Sequence, residues 1–463
     1  MKSIINSKVG NHRGNKRVWL EGVKLSNAGL NAGDSIEVSY DSNAKVIMIK
    51  KDETGSNIVS KRTKNGILTP IIDLCNKSIT ALYDAVETVR IVIKSGVIRI
   101  SPHHFQEKTA ERENRLLRKL KAGIPLSTLS ICHGGGVLDA GLHEGLDQGY
   151  VKSKVAVAIE IEHAYLESSL RNNNFWAEDS IAINSAVEEV RLPDNFKVDV
   201  LTVGLPCTGA SLSGRSKLGL SCAEQHETAG AVFHYFLKLC EAVSPSIVVI
   251  ENVTQYESTA SYFVINSVLR TLGYNLHTRV VSGAEFGALE DRSRLIVVAV
   301  SRNLAFETEW LDQLKSDAVK PDSIKDILES VPEDSDMWKS YDYLAQKELR
   351  DIEQKKGFRR QLLTPDADKV GTIGRGYAKG RSTEPFLVHP TNKSLSRLFT
   401  PREHARLKTI PESLINGLSA TIAHQVLGQS VCYNWFVELG RALSQNLRKI
   451  AGLSFGQFDQ SAA

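Results

Sequence analysis

The central part of this 463-residue chain predicts an α/β fold, a mostly parallel sheet with helices on both faces. Short apolar, β-branched runs recur from Leu126 onward: LSTLSI, KVAVAIE, VDVLTVG, SIVVIE and RLIVVAV. Amphipathic stretches separate them, namely HAYLESSLRNN, ETAGAVFHYFLKLCEAV and SYFVINSVLRTLG. Polar and Gly-rich motifs fall at the ends of the apolar runs, where open α/β sheets bind ligands.

The rest of the chain divides around this core. Residues 1–14 are polar with scattered Lys and Arg and are expected to be flexible. Residues 15–102 read as a small β-rich accessory domain. RVWLEG, SIEVSY and KVIMIK are strands separated by turn-rich text such as NAGLNAGD, and TVRIVIKSGVIRI is a strand pair turning at Ser95 and Gly96. LTPIIDLCNKSITALYDAV, between them, reads as helix. Residues 103–125 carry dense charge on helix formers and predict a solvated linker helix. The alternating text occupies 126–301; residues 302–358 are acidic and polar, and 357–381 are rich in Gly and Arg around Tyr377. Helical text returns over 386–450, and 451–463 reads as a flexible tail. No internal repeat is legible.

Composition excludes little. Hydrophobic residues at 42%, charged residues at 24% and a formal charge of +4 suit a soluble globular protein and permit nucleic-acid binding without arguing for it. Cys75, Cys132, Cys207, Cys222, Cys240 and Cys432 form no C-x-x-C pair, so neither a disulfide framework nor a zinc ribbon is expected, and no metal. Reduced thiols, no legible secretory signal and no long apolar run fit a cytoplasmic protein with no membrane contact.

Five motifs carry the chemistry. SICHGGG ends the first core strand, and Gly134 and Gly136 let backbone approach a ligand. A dinucleotide fingerprint would need another Gly where Asp139 stands. Glu160, ending the next strand, suits ribose hydroxyls. These residues fit a nucleoside-containing cofactor and, equally, a plain tight turn beside a solvated carboxylate. Cys207 follows Pro206 after a buried strand and opens a polar loop, which suits a nucleophilic sulfur better than a core thiol. Glu251 ends SIVVIE at the same strand-end edge. Arg292 and Arg294, at alternate positions before RLIVVAV, would share one strand face, which fits binding of carbonyl oxygens or phosphates and, equally, an exposed charged strand edge.

In this order, ICHGGG, LPCTGAS, ENV, EDRSR and RLFTPREHARLKTIP resemble the cytosine-C5 DNA methyltransferase family, as does HQVLGQSVCYNWF at 424–436. The resemblance covers about 126–300 and 386–445. It implies a Rossmann-like S-adenosylmethionine-dependent fold, a catalytic core at 126–301, a target-recognition region at 302–385 and a return to the core over 386–450. It implies that Cys207 attacks C6 of a cytosine flipped from duplex DNA, Glu251 holds N3 and the amino group, Arg294 binds O2, and Arg292 supports the same site. Cys132, Gly134, Gly136, Glu160, Ile161, Pro206, Gln429 and Ser430 would bind S-adenosylmethionine. Arg359, Arg360, Arg375, Lys379 and Arg381 would contact DNA.

The resemblance further implies a prokaryotic or phage-type enzyme of restriction-modification or genome protection, with a cognate restriction endonuclease as partner and a monomer acting on double-stranded DNA. The chain departs from the family pattern at Ser130, Cys132 and His133 (for Asp, Phe and Ala), Asn184 and Ser185 (for Gly and Asp), Thr208 (for Gln), Leu289 and Glu290 (for Pro and Gln) and Gln429 (for Asn). These changes bear on cofactor packing. An RNA cytosine-C5 methyltransferase and a non-catalytic DNA-binding protein of the same fold remain the alternatives. The N-terminal RVWLEG and NAGLNAGDSIEV loosely resemble small swapped-hairpin DNA-binding domains; an oligomerisation or structural role fits equally.

Overall fold

The computed structural model describes residues 2–64, 66–84, 86–206, 224 and 230–453. The chain forms two compact units, Met1–Glu111 and Arg112–Ala463.

In the first unit, β1 (Ser3–Lys8), β2 (Gly10–His12), β3 (Asn15–Glu21), a short α1 (Val23–Ser26), β4 (Ser35–Asp41) and β5 (Val46–Lys51) are followed by the same series again. The second series is β6 (Asn57–Ile58), β7 (Ser60–Lys64), β8 (Ile67–Cys75), α2 (Lys77–Tyr83), β9 (Thr88–Lys94) and β10 (Val97–Pro102). The halves exchange strands. β1 pairs with β9 and β6 with β4, while β5·β10 and β3·β8 form the seams of two sheets ordered β1-β9-β10-β5-β4-β6 and β2-β3-β8-β7. α1 packs on β8 and α2 on β3, so the exchange is reciprocal.

Three sequence expectations are corrected here. The unit is an internal two-fold repeat. Its halves preserve topology and alternate burial but little text, since a buried strand face demands only apolar side chains at every second position. The N-terminus is not a flexible tail: Ser3–Lys8 pairs in full with β9, from Ser3↔Ile93 to Lys8↔Thr88. The stretch expected to be one helix holds the strand Ile67–Cys75 and then the helix Lys77–Tyr83. Ile72 and Leu74 are buried around the exposed Asp73, a period-two pattern that pairs with β3, and the helix begins only at Asn76, whose side chain accepts from Ile79 N at 2.9 Å.

α3 (His104–Lys121) crosses the boundary between the units in sequence. Its second half is tied down rather than solvated. Arg112 stacks 3.8 Å from the Tyr274 ring centroid and donates to Ser301 Oγ and the Gly273 carbonyl. Arg115 and Lys119 both reach the fully buried Asp199.

The second unit is built on β11 (Leu126–Ile131), α4 (Val137–Gln148), β12 (Ser153–Glu160), α5 (His163–Asn172), β13 (Trp176–Asn184), β14 (Val200–Gly204), α6 (Val232–Val243), β15 (Ile247–Asn252), α7 (Ala260–Thr271) and β16 (Tyr274–Ser282). After β17 (Glu290–Asp291) and β18 (Ser293–Ser301) come α8 (Asp342–Glu353), β19 (Gln361–Leu363), β20 (Val370–Gly371), β21 (Pro385–Val388), β22 (Ser396–Arg397), α9 (Pro401–Leu407), α10 (Ala420–Gln429) and α11 (Tyr433–Ala451). The large sheet has the order β13-β12-β11-β14-β15-β18-β16, parallel except for β18. With the right-handed crossovers usual for parallel strands, this order puts α4 and α5 on one face and α6 and α7 on the other. The order reverses between β11 and β14.

α11 closes the fold against α4, and small residues set the distance. A Cβ on Gly145 would lie 1.9 Å from the Val437 carbonyl oxygen, and one on Gly440 2.4 Å from that of Leu142. The segment between β18 and α9 adds a small sheet, β19-β21-β22, and the pair β17·β20. Arg397 and Glu403, both buried, clamp its return with two bonds of 2.6 and 2.8 Å. Among the described residues, no helix is long and apolar enough to cross a membrane.

Candidate active site

The carboxyl ends of β11, β12, β14 and β15 share one sheet edge with the start of β18. Reversal of strand order between β11 and β14 opens a crevice there. Gly204 stands between its two sides. A Cβ on that residue would lie 3.8 Å from both the Cys132 carbonyl oxygen and Glu251 Oε2.

On one side is the loop after β11. Cys132, Gly134 and Gly136 have φ of 54°, 60° and 76°, a run of left-handed conformation that brings backbone to the crevice. A side chain on Gly135 would meet Val426 Cγ1 at 2.5 Å. Burial pushes the Cys132 thiol up to about 12, so it stays protonated. The Glu160 carboxylate holds the loop, accepting from Gly134 N at 2.6 Å and Glu162 N at 2.9 Å. Each oxygen keeps acceptor capacity. Ile161 beside it is 66% exposed, an apolar surface next to a carboxylate. Gln429 reaches the loop from the end of α10, with its Nε2 3.6 Å from where a Gly134 Cβ would stand. The Ser430 hydroxyl turns back to the Val426 carbonyl.

Beneath the loop lies a buried network that sequence reasoning missed. Asp139 accepts from Ser130 Oγ and Thr202 Oγ1, each at 2.6 Å, and lies 3.0 Å from His133 Nδ1. His133 Nε2 meets Ser169 Oγ at 2.7 Å, and Asn173 Nδ2 donates to that hydroxyl and to the Gly135 carbonyl. Burial alone would raise the Asp139 carboxyl; the bonds from His133, Ser130 and Thr202 outweigh it and hold it below the usual carboxylate range. Asp139 therefore places a buried negative charge beneath the loop, bonded to Ser130. The available signal was an acid in the first turn of α4, with a small hydroxyl one strand away.

On the other side, Arg294 Nε lies 3.0 Å from Glu251 Oε1, with both side chains largely buried. Burial pushes the Glu251 carboxyl above its ordinary range, opposed by Arg294, Arg292 and Lys408. Asn252 Nδ2 donates to the Leu205 carbonyl and fixes the strand end against the half-buried Pro206. Cys207 lies outside the described residues.

Arg292 departs from expectation. It does not share a strand face with Arg294, because it sits in the break between β17 and β18, where its backbone N–H turns to the Glu290 carbonyl. Its guanidinium is buried on Glu290 Oε1 at 2.8 Å and on the carbonyls of Ile373 and Gly428. Lys408, also fully buried, lies 4.0 Å from Glu290 Oε2 and donates to Ser430 O at 2.7 Å; burial lowers its ammonium to about 7. This cluster joins β17, the 373 loop and α10.

The expected DNA contacts divide. Arg359, Lys379 and Arg381 are exposed. Arg360 is half-buried, its guanidinium 6.0 Å from the Phe386 ring centroid and 3.4 Å from Ser396 Oγ. Arg375 turns toward the start of α5 instead, pairing with Glu162 at 2.7 Å and lying 5.4 Å from the Tyr165 ring centroid. Close packing of Gly428 on Gly374 and Arg375 backbone directs it there.

The family model described as C-5 cytosine-specific DNA methylase matches residues 126–445. The type II methyltransferase M1.ScrFI of Lactococcus lactis subsp. cremoris is 29% identical over 253 residues, 53% of this chain and 61% of that protein. The type II methyltransferase M.NlaX of Neisseria lactamica is 25% identical over 316 residues, 66% and 93% of the respective chains. This chain thus spans about three fifths of the first relative and nearly all of the second. Among solved structures, the S. pombe Dnmt2 methyltransferase superposes with a TM-score of 0.53 at 21% identity, covering 70% of this chain and 99% of that one, a likeness of fold.

Proposed function

Because the chain belongs to the C-5 cytosine-specific DNA methylase family, whose model spans 126–445, we propose that it is a DNA (cytosine-5-)-methyltransferase acting on duplex DNA. The observation that carries this reading is the Glu251–Arg294 pair at 3.0 Å, on the strand edge that leads into Pro206 and Cys207.

The chemistry needs a nucleophile, a proton-bearing acid and a cation around one pyrimidine. Cytosine C5 is a poor nucleophile. A thiolate bond from Cys207 to C6 breaks the ring's aromaticity and leaves C5 as the carbon of an enamine; after C5 takes the methyl group, loss of its proton expels the thiolate from C6 and restores the ring. Glu251, with its carboxyl raised by burial, is suited to hold N3 and the amino group and to donate a proton there as charge develops. Arg294 places a cation beside the same carboxylate, available to O2. Arg292 acts through position, holding the loop at Ile373 and the end of α10. The base must leave the helix to reach these groups, at a cost of about a few kcal/mol that pocket contacts offset.

The crevice residues fit S-adenosylmethionine. The glycine loop offers open backbone, Glu160 has acceptor capacity for ribose hydroxyls, and Ile161 gives an apolar surface beside it. When bound, the cofactor supplies the electrophilic methyl group. Cys132, Gly134, Gly136, Pro206 and Gln429 would line its site, with Ser430 shaping the turn. Exposed Arg359, Lys379 and Arg381 suit phosphate or base contacts in a target-recognition region over 302–385. The type II names of the relatives support a role in restriction-modification beside a cognate endonuclease.

Bisulfite sequencing of genomic DNA from cells expressing the protein tests this reading. Protected cytosines in one sequence context are expected, and absent from cells expressing Glu251→Gln. Unprotected DNA beside methylated RNA from the same cells would overturn it.

A further inference from the structure

Lys408 stands where a lysine weakens the fold. It is fully buried at the end of α9, and burial lowers its ammonium to about 7. The neighbouring carboxylate is already matched. Glu290 Oε1 accepts from Arg292 Nε at 2.8 Å and from Ile373 N at 3.1 Å. Glu290 Oε2 lies 4.0 Å from Lys408 Nζ, beyond hydrogen-bond distance. A methionine would fill this space at less cost, since a thioether gives up no charge hydration. What the ammonium adds is hydrogen-bond donors.

Those donors go to the end of α10. Lys408 Nζ donates to the carbonyls of Leu427 and Ser430, the second at 2.7 Å, and Arg292 Nη2 donates to that of Gly428 at 2.8 Å. The last carbonyls of a helix lack partners within it, and many helices close them with a left-handed glycine. α10 ends differently: Ser430 is extended, at φ −74° and ψ 166°. Two cations close the turn instead, at the helix end where positive charge is favourable. The Lys408 carbonyl also accepts from Tyr433 N, at the start of α11, at 3.0 Å. One residue thus holds the link 430–432 from both ends.

The same turn of α10 walls the crevice. A Cβ on Gly135 would lie 2.5 Å from Val426 Cγ1, and one on Gly134 would lie 3.6 Å from Gln429 Nε2. Gln429 is exposed, so burial does not fix its side chain. Its aim depends on the backbone that carries it.

Resting on the reading of the crevice as an S-adenosylmethionine site, we propose that Lys408 is a positioning residue for the cofactor, which caps α10 and so aims Gln429 at the glycine loop. It acts through the backbone of 427–430, not by contact with cofactor or base.

The test is titration calorimetry of the full chain with S-adenosylhomocysteine. Lys408→Met and Gln429→Ala should each raise Kd about tenfold, the scale of one lost hydrogen bond. The double variant should bind no more weakly than Gln429→Ala alone, because the lysine acts through that glutamine. Lys408→Gln, which keeps N–H donors without charge, should recover part of the loss. In the cofactor-free protein, amide hydrogen exchange at 429–431 should quicken in Lys408→Met while β11 and β14 keep the parent's rates. Parent affinity in Lys408→Met would overturn the assignment. So would a roughly hundredfold loss in the double variant, the product of the single losses. Exchange quickened throughout the sheet would mark a purely structural lysine and overturn it too. A parent that binds no S-adenosylhomocysteine would instead overturn the cofactor reading, and this assignment with it.

Discussion

Arg294 Nε and Glu251 Oε1 lie 3.0 Å apart across the junction of β15 and β18, and burial keeps the Glu251 carboxyl raised despite that cation. An acid so placed is protonated at higher pH than a free glutamate. Its proton-bearing fraction falls as pH rises through the raised value, so the methyl-transfer rate should decline on the alkaline side. Arg294→Gln removes the largest opposing influence, so the same limb should move to higher pH while the rate falls. A pH–rate profile of single-turnover methylation measures both.

Removing the acid itself separates chemistry from fold. Glu251→Gln keeps the shape and a hydrogen-bonding head but cannot donate the proton. Single-turnover rates should fall by about 10²–10⁴-fold, with an unchanged circular-dichroism spectrum. An unchanged rate would remove Glu251 from the chemistry.

Asp139 predicts a stability effect with a defined pH dependence. Its folded pKa is depressed, so its contribution is present above the ordinary aspartate value and is lost as pH falls through the folded one. Asp139→Asn should therefore cost about 3 kcal/mol in urea unfolding at neutral pH, with the difference from the parent shrinking in acid. Weaker S-adenosylmethionine binding should accompany it, because the loop at Gly135 hangs on the same network.

Lys408 predicts a slope of the same sign in a higher pH window. The unfolded chain keeps that proton up to about 10.5, the folded chain only to about 7, so stability should rise with pH between those values. The gain approaches roughly 4 kcal/mol at the alkaline end. Lys408→Met should lose this rise, as pH-dependent urea midpoints would record.

The sheet and its strand-end motifs were legible because buried parallel strands must be apolar and ligands gather where they stop; SIVVIE announced both β15 and Glu251. Arg292 does not follow Arg294 because alternation holds only within a continuous strand, and the strand is interrupted between Asp291 and Ser293. Arg375 reads as a phosphate contact until backbone packing at Gly428 turns it toward Glu162. Asp139 was invisible as a partner of Ser130 because nine residues of sequence hide a 2.6 Å bond. The two-fold of the first unit is not legible in the text because strand exchange conserves pairing geometry, so that Trp19 on one half and Ile71 on the other serve equivalent strands without resembling each other.

The most direct test is nucleoside analysis of duplex DNA incubated with the purified protein and methyl-labelled S-adenosylmethionine. Label in 5-methylcytosine, abolished in Cys207→Ser, is the predicted result. Label in any other nucleoside, or transfer that survives in Cys207→Ser, would contradict the account.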